Sequence, residues 1–227
     1  MEKKYLLNMF FGFITIGIIN GQTTEAVVPS FKLITYITED GGLIEASFFK
    51  ESKDLVVIFA HGAIFNKESW YSIAEKLQKK QISSLSIDFR GYGNSKKGNT
   101  DKRSLDILGA VDFLKGKGYH NILIVGGSMG GAAVLNALSI KTDKSIKKVV
   151  LLAPAGGVGI HDKSIKKLFV VSKNERLFER VKKIYNESSN PKELKVFSGA
   201  FHAQNMFKSK HREELTNLII NFLNTAE

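Results

Sequence analysis

The sequence predicts an α/β fold: a mostly parallel central sheet with an N-terminal antiparallel hairpin and helices on both faces. Three observations carry this. Extended apolar runs alternate with amphipathic helical runs from Phe31 onward. The first two extended runs are joined only by Glu39-Asp40-Gly41-Gly42, a hairpin turn. No linker, composition break or second apolar core interrupts the chain beyond the hairpin, so one domain over residues 22–227 is expected.

The elements come in this order. Phe31–Thr38 and Leu43–Lys50 are the hairpin strands, and Leu55–Ala60 is the first buried strand. Lys67–Lys80 is helical, with Trp70, Ile73, Ala74 and Leu77 on one face. Ile82–Asp88 is a strand. Asp101–Lys117 is a helix with Leu105, Leu108, Val111 and Leu114 at spacing three and Asp101 as its cap. Ile122–Gly126, Lys148–Ala153, Leu168–Ser172 and Glu193–Ser198 are strands. Between and after them lie helices over Met129–Ile140, Glu175–Glu187 and Arg212–Leu223.

Composition excludes several classes. Hydrophobic residues make up 43% and charged residues 24%, enough for a packed core. With no cysteine there can be no disulfide framework, thiolate zinc site, iron–sulfur cluster or cysteine nucleophile. The net charge of +11 comes from lysines spread over nearly every polar segment, without aromatic interleaving or a nucleic-acid motif. A solvated basic surface is the reading, and no nucleic-acid partner is expected.

Residues 1–21 read as a signal peptide. Lys3-Lys4 precede the apolar stretch Tyr5–Ile19, whose 15 residues fall short of the about 20 that span a bilayer. Gly21 is an acceptable last residue, although Ile19 is large for its place. Export to a periplasmic or extracellular space is therefore expected, with membrane attachment only if the segment stays uncleaved. Losing residues 1–21 removes Lys3, Lys4 and Glu2, so +11 becomes +10 and the basic character stays with the domain.

The chemistry concentrates where strand Ile122–Val125 runs into Gly126-Gly127-Ser128-Met129-Gly130-Gly131 and then into a helix. In this G-x-S-x-G pattern a serine sits at the tip of a tight, strained turn, and the flanking glycines let strand and helix approach. The helix N-terminus favours negative charge beside the serine. A dinucleotide-binding turn is the rival, but that needs G-x-G-x-x-G after the first strand, and here Ser128 takes the third position after a later strand.

With this motif, His61-Gly62 after the first parallel strand and Asp88-Phe-Arg-Gly-Tyr-Gly-Asn-Ser95 after the next, the chain resembles the α/β-hydrolases of the small, lidless serine-esterase type from about Val27 onward. The resemblance implies Ser128 as nucleophile, His202 in the late G-x-x-H loop as base, and a carboxylate between them in chain order. Glu175, after strand Leu168–Ser172, occupies the place where an aspartate is commoner; Asp162 and Glu179 remain rivals. The oxyanion donors are expected at the Met129 and Ala63 backbone N–H groups, with His61 in the oxyanion loop. Asp88 and Arg90 read as structural, whereas Tyr92, Ile64, Phe65 and Trp70 line an acyl pocket or belong to the core. His120 lies at the wrong sheet edge, His211 opens the last helix, and His161 sits in a loop of undefined direction.

Only Pro154–Lys167 occupies the place where larger relatives insert a lid, so an open site is expected. No metal or organic cofactor is implied. The resulting expectation is an exported serine hydrolase acting on a small or medium acyl ester. Thioester or peptide cleavage shares the same triad, and a non-catalytic binding protein keeping the fold is the alternative from another class.

Overall fold

The computed structural model describes residues 30–51 and 55–224; the signal-peptide assignment for 1–21 lies outside them. The strands are β1 (Lys32–Ile37), β2 (Leu43–Phe49), β3 (Val56–Ala60), β4 (Ser83–Ile87), β5 (Ile122–Gly127), β6 (Ile146–Leu152), β7 (Lys166–Ser172) and β8 (Lys192–Phe197). They form one sheet in the order β1-β2-β4-β3-β5-β6-β7-β8. β1 pairs antiparallel with β2 and β2 antiparallel with β4, and every later pair is parallel. The helices are α1 (Tyr71–Gln78), α2 (Ser104–Gly116), α3 (Met129–Ile140), α4 (Phe178–Glu187) and α5 (Arg212–Asn224).

Topology places the helices and the site. The chain steps from β3 one way to β4, then back across β3 to β5 and onward to β6. Right-handed crossovers in opposite directions put α1 and α2 on opposite faces. Because the loops after β3 and β5 leave in opposite directions, a crevice opens at the carboxyl ends of those two strands. β3, β4 and β5 are buried at every residue, as a sheet covered on both faces requires.

Where the sequence reading and the structure differ, the causes are local. β6 and β7 each begin two residues earlier than expected, at Ile146-Lys147 and at Lys166-Lys167. Lys148 and Lys167 are 3% and 1% exposed. Their aliphatic stems lie in the sheet while the amines escape to carbonyls: Lys148 Nζ donates to Phe222 O at 3.0 Å and Lys167 Nζ to Asp162 O at 2.6 Å. A lysine pair therefore does not end a strand here.

The stretch read as one helix from Lys67 is a 3₁₀ turn over Lys67–Trp70 followed by α1, and Asn66 Oδ1 accepts the Glu68 N–H at 3.1 Å. Asp101 does not cap α2; it pairs with Lys97 at 2.8 Å, and the helix starts after Arg103 without a side-chain cap. α4 begins at Phe178 rather than Glu175, because residues 173–177 form a turn held to the last strand's exit. There Lys173 N donates to Phe197 O at 2.8 Å and Asn174 N to Gly199 O at 2.9 Å.

Candidate active site

Ser128 stands between β5 and α3 with φ 51° and ψ −111°. A side chain at positive φ is strained, and the surroundings hold it there. Ser128 N donates to Leu152 O at 2.9 Å, while Ser128 O accepts from Ala132 N and Ala155 N, each at 3.0 Å. The glycines supply the clearance. A Cβ at Gly126 would stand 2.8 Å from Gly131 N, and one at Gly130 would stand 2.8 Å from His61 O and closer still to Ala60 O. α3 can start directly against β3 and β5 only because both positions lack a side chain.

Two further loops complete the cluster. Ser128 Oγ lies 2.7 Å from His202 Nε2, and His202 Nδ1 lies 2.5 Å from Glu175 Oε2. A carboxylate only accepts, so Nδ1 carries the imidazole proton and Nε2 accepts from the serine hydroxyl. The Glu175 side chain is 2% exposed and that of His202 37%. The relay thus runs from a buried acid to a base open to solvent. Glu175 reaches His202 from the turn tied to Gly199, which is why the helix cannot begin there.

Asp162 is elsewhere. It closes a turn on Ser164 just before β7, with Oδ1 accepting from Ser164 N and Oγ at 2.8 and 2.6 Å, at the sheet edge opposite Ser128. Glu179 is on α4, 3.7 Å from Lys182. Among the histidines, His211 Nε2 lies 2.9 Å from Ser198 Oγ, and His120 and His161 are exposed near the starts of β5 and β7.

The loop after β3 lies against the elbow. A Cβ at Gly62 would stand 3.5 Å from Ser128 Cβ. His61 is fully buried: its Nδ1–H donates to Gly62 O at 2.8 Å and its Nε2 accepts from Phe89 N at 3.2 Å. Burial, first, pushes the His61 pKa below the ordinary histidine value, with Arg103 and Lys67 helping and Gly62 O and Asp88 opposing. The neutral ring is therefore a fixed spacer in the turn. Tyr92 OH donates to Ala63 O at 2.9 Å and lies 3.6 Å from Met129 Sδ, so Tyr92 braces both turns. Among the described residues, the Met129 and Ala63 N–H groups make no hydrogen bond within the protein.

Asp88 and Arg90 hold this region from below. Asp88 accepts from Lys67 N at 2.7 Å and Lys67 Nζ at 2.6 Å; Glu45 adds a second acceptor at 3.0 Å. Burial opposes the Lys67 charge, yet the two carboxylates outweigh it and its pKa is raised. Arg90 joins Asp106, Asp40 and Thr100. Trp70 is core, stacked on Phe59 at 5.2 Å, whereas Ile64 is 80% exposed and Phe65 half-buried beneath Lys208.

The sequence reading missed Gln204. It is 3% exposed, its Oε1 accepts the Gly62 N–H at 2.7 Å, and its Nε2 donates to Ser69 Oγ at 2.6 Å. Nothing local in the sequence marks it, because its partners Gly62 and Ser69 lie 142 and 135 residues away.

A strained serine turn at a switch-point crevice, in an eight-stranded sheet of this order, is the architecture of an α/β-hydrolase. A family model described as the alpha/beta hydrolase fold matches residues 56–186, and the chain belongs to that family. Over 175 residues the chain is 26% identical to "Putative esterase/lipase 2" of Mycoplasma genitalium, covering 75% of this chain and 64% of that protein. Over 168 residues it is 27% identical to Lipase 3 of a Moraxella species, covering 68% of this chain and 53% of that one. The chain thus spans about half to two thirds of the length of these curated relatives. The solved Pyrococcus furiosus esterase superposes with a TM-score of 0.71 at 20% identity, over 85% of this chain and 90% of that one. The Exiguobacterium antarcticum esterase gives 0.70 at 16%, over 84% and 99%. At such identities the two structures speak to the fold.

Proposed function

We propose that the protein is an exported serine hydrolase that cleaves small or medium carboxylic esters through an acyl-enzyme. One observation carries the reading: the unbroken relay Glu175–His202–Ser128, with spacings of 2.5 and 2.7 Å, beside two amides unengaged among the described residues. Ser128 Oγ attacks the ester carbonyl carbon while His202 Nε2 takes its proton. The carbonyl electron pair moves to oxygen, where the Met129 and Ala63 N–H groups receive it. Glu175 holds the Nδ1 proton and offsets the imidazolium charge. The tetrahedral adduct collapses, His202 protonates the departing alcohol, and water repeats the sequence on the acyl-Ser128 ester. Likeness to esterases and lipases supports an ester over other acyl substrates.

The test is a fluorophosphonate probe with peptide mapping, beside p-nitrophenyl esters of increasing chain length and an aminoacyl-anilide panel. Expected are a single adduct on Ser128, none on Ser128→Ala, and ester turnover far above anilide turnover. A folded wild-type chain that takes no label overturns the reading. For export, the measurement is the N-terminal residue of the extracytoplasmic protein, expected near Gln22; a soluble cytoplasmic pool retaining Met1 overturns it.

A further inference from the structure

The loop that delivers His202 carries a second polar side chain aimed the other way. Ala203 between them has φ 46°, a conformation that side chains rarely adopt, and is 1% exposed. This reversal sends His202 to Ser128 and Gln204 to the turn after β3. The Gln204 carboxamide is engaged at both ends: Oε1 receives the Gly62 N–H at 2.7 Å and Nε2 reaches Ser69 Oγ at 2.6 Å. It also packs on the elbow strand, since a Cβ at Gly127 would come 2.9 Å from Oε1 and one at Gly62 would come 3.1 Å from it. Two glycines thus clear room for one buried amide.

We propose that Gln204 is a positioning residue that fixes the Gly62–Ala63 turn against Ser128 through the Gly62 N–H, so that a single loop sets both the base and the oxyanion amide. This rests on the reading of Ser128 as nucleophile. The peptide N–H next to the donor is the lever: rotation of the Gly62–Ala63 backbone would swing the Ala63 amide away from the developing oxyanion. Gly62 has no side chain to resist that rotation; Gly62 O is held by the His61 Nδ1–H at 2.8 Å and the Phe65 N–H at 3.0 Å, and the Gln204 oxygen fixes the preceding peptide, so both planes around Gly62 are pinned. A neutral amide suits the task. It accepts from Gly62 and donates to Ser69 without placing a charge beside His202.

The experiment uses the full chain and three variants. Gln204→Met removes the acceptor at similar volume, Gln204→Glu keeps an acceptor but loses the donor, and Ser69→Ala releases only the far end. For Gln204→Met, kcat on p-nitrophenyl acetate should fall on the order of 10- to 100-fold with KM within about twofold. That lies below the 10²–10³ lost with an oxyanion donor itself, because the donor survives misplaced. Its affinity for a boronic-acid transition-state mimic should fall by the same factor, while affinity for the product carboxylate stays unchanged. Ser69→Ala should keep kcat within about threefold, whereas Gln204→Glu, which keeps the acceptor but sets a buried carboxylate beside His202 and the developing oxyanion, should lower kcat and product-carboxylate affinity together.

A Gln204→Met enzyme with wild-type kcat and boronate affinity overturns the proposal. So does equal damage from Ser69→Ala, or boronate and product affinities falling together in Gln204→Met. If Gln204→Met does not fold, Gln204→Leu takes its place with the same readouts, and hydrogen exchange of the Gly62 amide in the wild type still decides: exchange as fast as a free amide overturns the proposal, slow exchange supports it. Wild-type protein that neither turns over ester nor takes a fluorophosphonate at Ser128 overturns the serine-hydrolase reading, and this proposal with it; an active wild type separates the two failures.

Discussion

His202 Nδ1 and Glu175 Oε2 lie 2.5 Å apart, and the carboxylate is withdrawn from water although it sits in a surface turn. Glu175 Oε1 has no hydrogen-bond partner among the described residues, so His202 holds this acid by one oxygen. Burial of a carboxylate on so few partners is costly unless it faces a cation at some stage. In the proposed mechanism, the imidazolium formed during turnover is that cation.

Glu175→Gln should keep the fold and lower kcat on the order of 10⁴-fold, because the amide cannot enforce the Nδ1–H tautomer. Glu175→Asp should retain more activity, its loss being one methylene of reach across a 2.5 Å contact. Asp162→Asn and Glu179→Gln should match wild type, since neither approaches His202. Steady-state kinetics on one p-nitrophenyl ester checks all four; a crippled Asp162→Asn beside a normal Glu175→Gln would remove Glu175 from the relay.

Ser128→Ala should lower kcat on the order of a million-fold while leaving the strained backbone in place. Ser128→Gly should be equally inactive but more stable by about 1 kcal/mol, because glycine adopts φ 51° freely. In a chain of this size that is a rise in Tm of about 2–4 °C, read by calorimetry. Equal Tm values for the two variants would mean that the elbow stores no strain.

Gly130→Ala should destabilise by about 1–3 kcal/mol, since its Cβ would press on the carbonyls of Ala60 and His61. Displacing the first turn of α3 also moves the Met129 amide, so kcat should fall with stability. Gly116→Ala is the contrast: nothing lies within 4 Å, and a helical alanine should add about 0.5–1 kcal/mol. Urea denaturation of the two proteins measures both signs.

Stability should depend on pH through His61. Its folded pKa is depressed by burial, so the unfolded chain binds the proton more readily. Stability from this group is complete above the unfolded value of about 6.5 and is lost as pH falls below it, by up to about 1.4 kcal/mol per pH unit until the folded pKa is passed. Protonation also removes the Nε2 acceptor for Phe89 N–H. Urea melts from pH 8 to 4.5 should show this slope, and His61→Asn should flatten it relative to wild type.

Periodicity exposed most of the fold. β5 and α3 were legible because a continuous apolar strand, a glycine turn and a helix-period run succeed one another between Ile122 and Ile140. Boundaries failed where a lysine behaves as a hydrocarbon, at Lys167, and where tertiary hydrogen bonds outrank local propensity, as at Asn174 on Gly199. Ser128, His202 and Glu175 could be placed by chain order and motif, and geometry brings the three together. Gln204 could not: its meaning depends on an inverted Ala203 backbone and a contact across 142 residues, which no local pattern encodes.

The switch-point crevice is furnished in two instalments. The residues of the β3 turn, the elbow and the start of α3 have all been supplied by Gly131, but the proposed acid comes after β7 and the proposed base only past β8, the edge strand of the sheet. A partly synthesised chain, or one whose β8 has peeled off the edge, therefore carries an ordinary alcohol at position 128. Because β8 is an edge strand that pairs with β7 alone, the proposed activation of Ser128 depends on a strand held from one side, and loss of reactivity on gentle heating or denaturant should precede loss of the central strands.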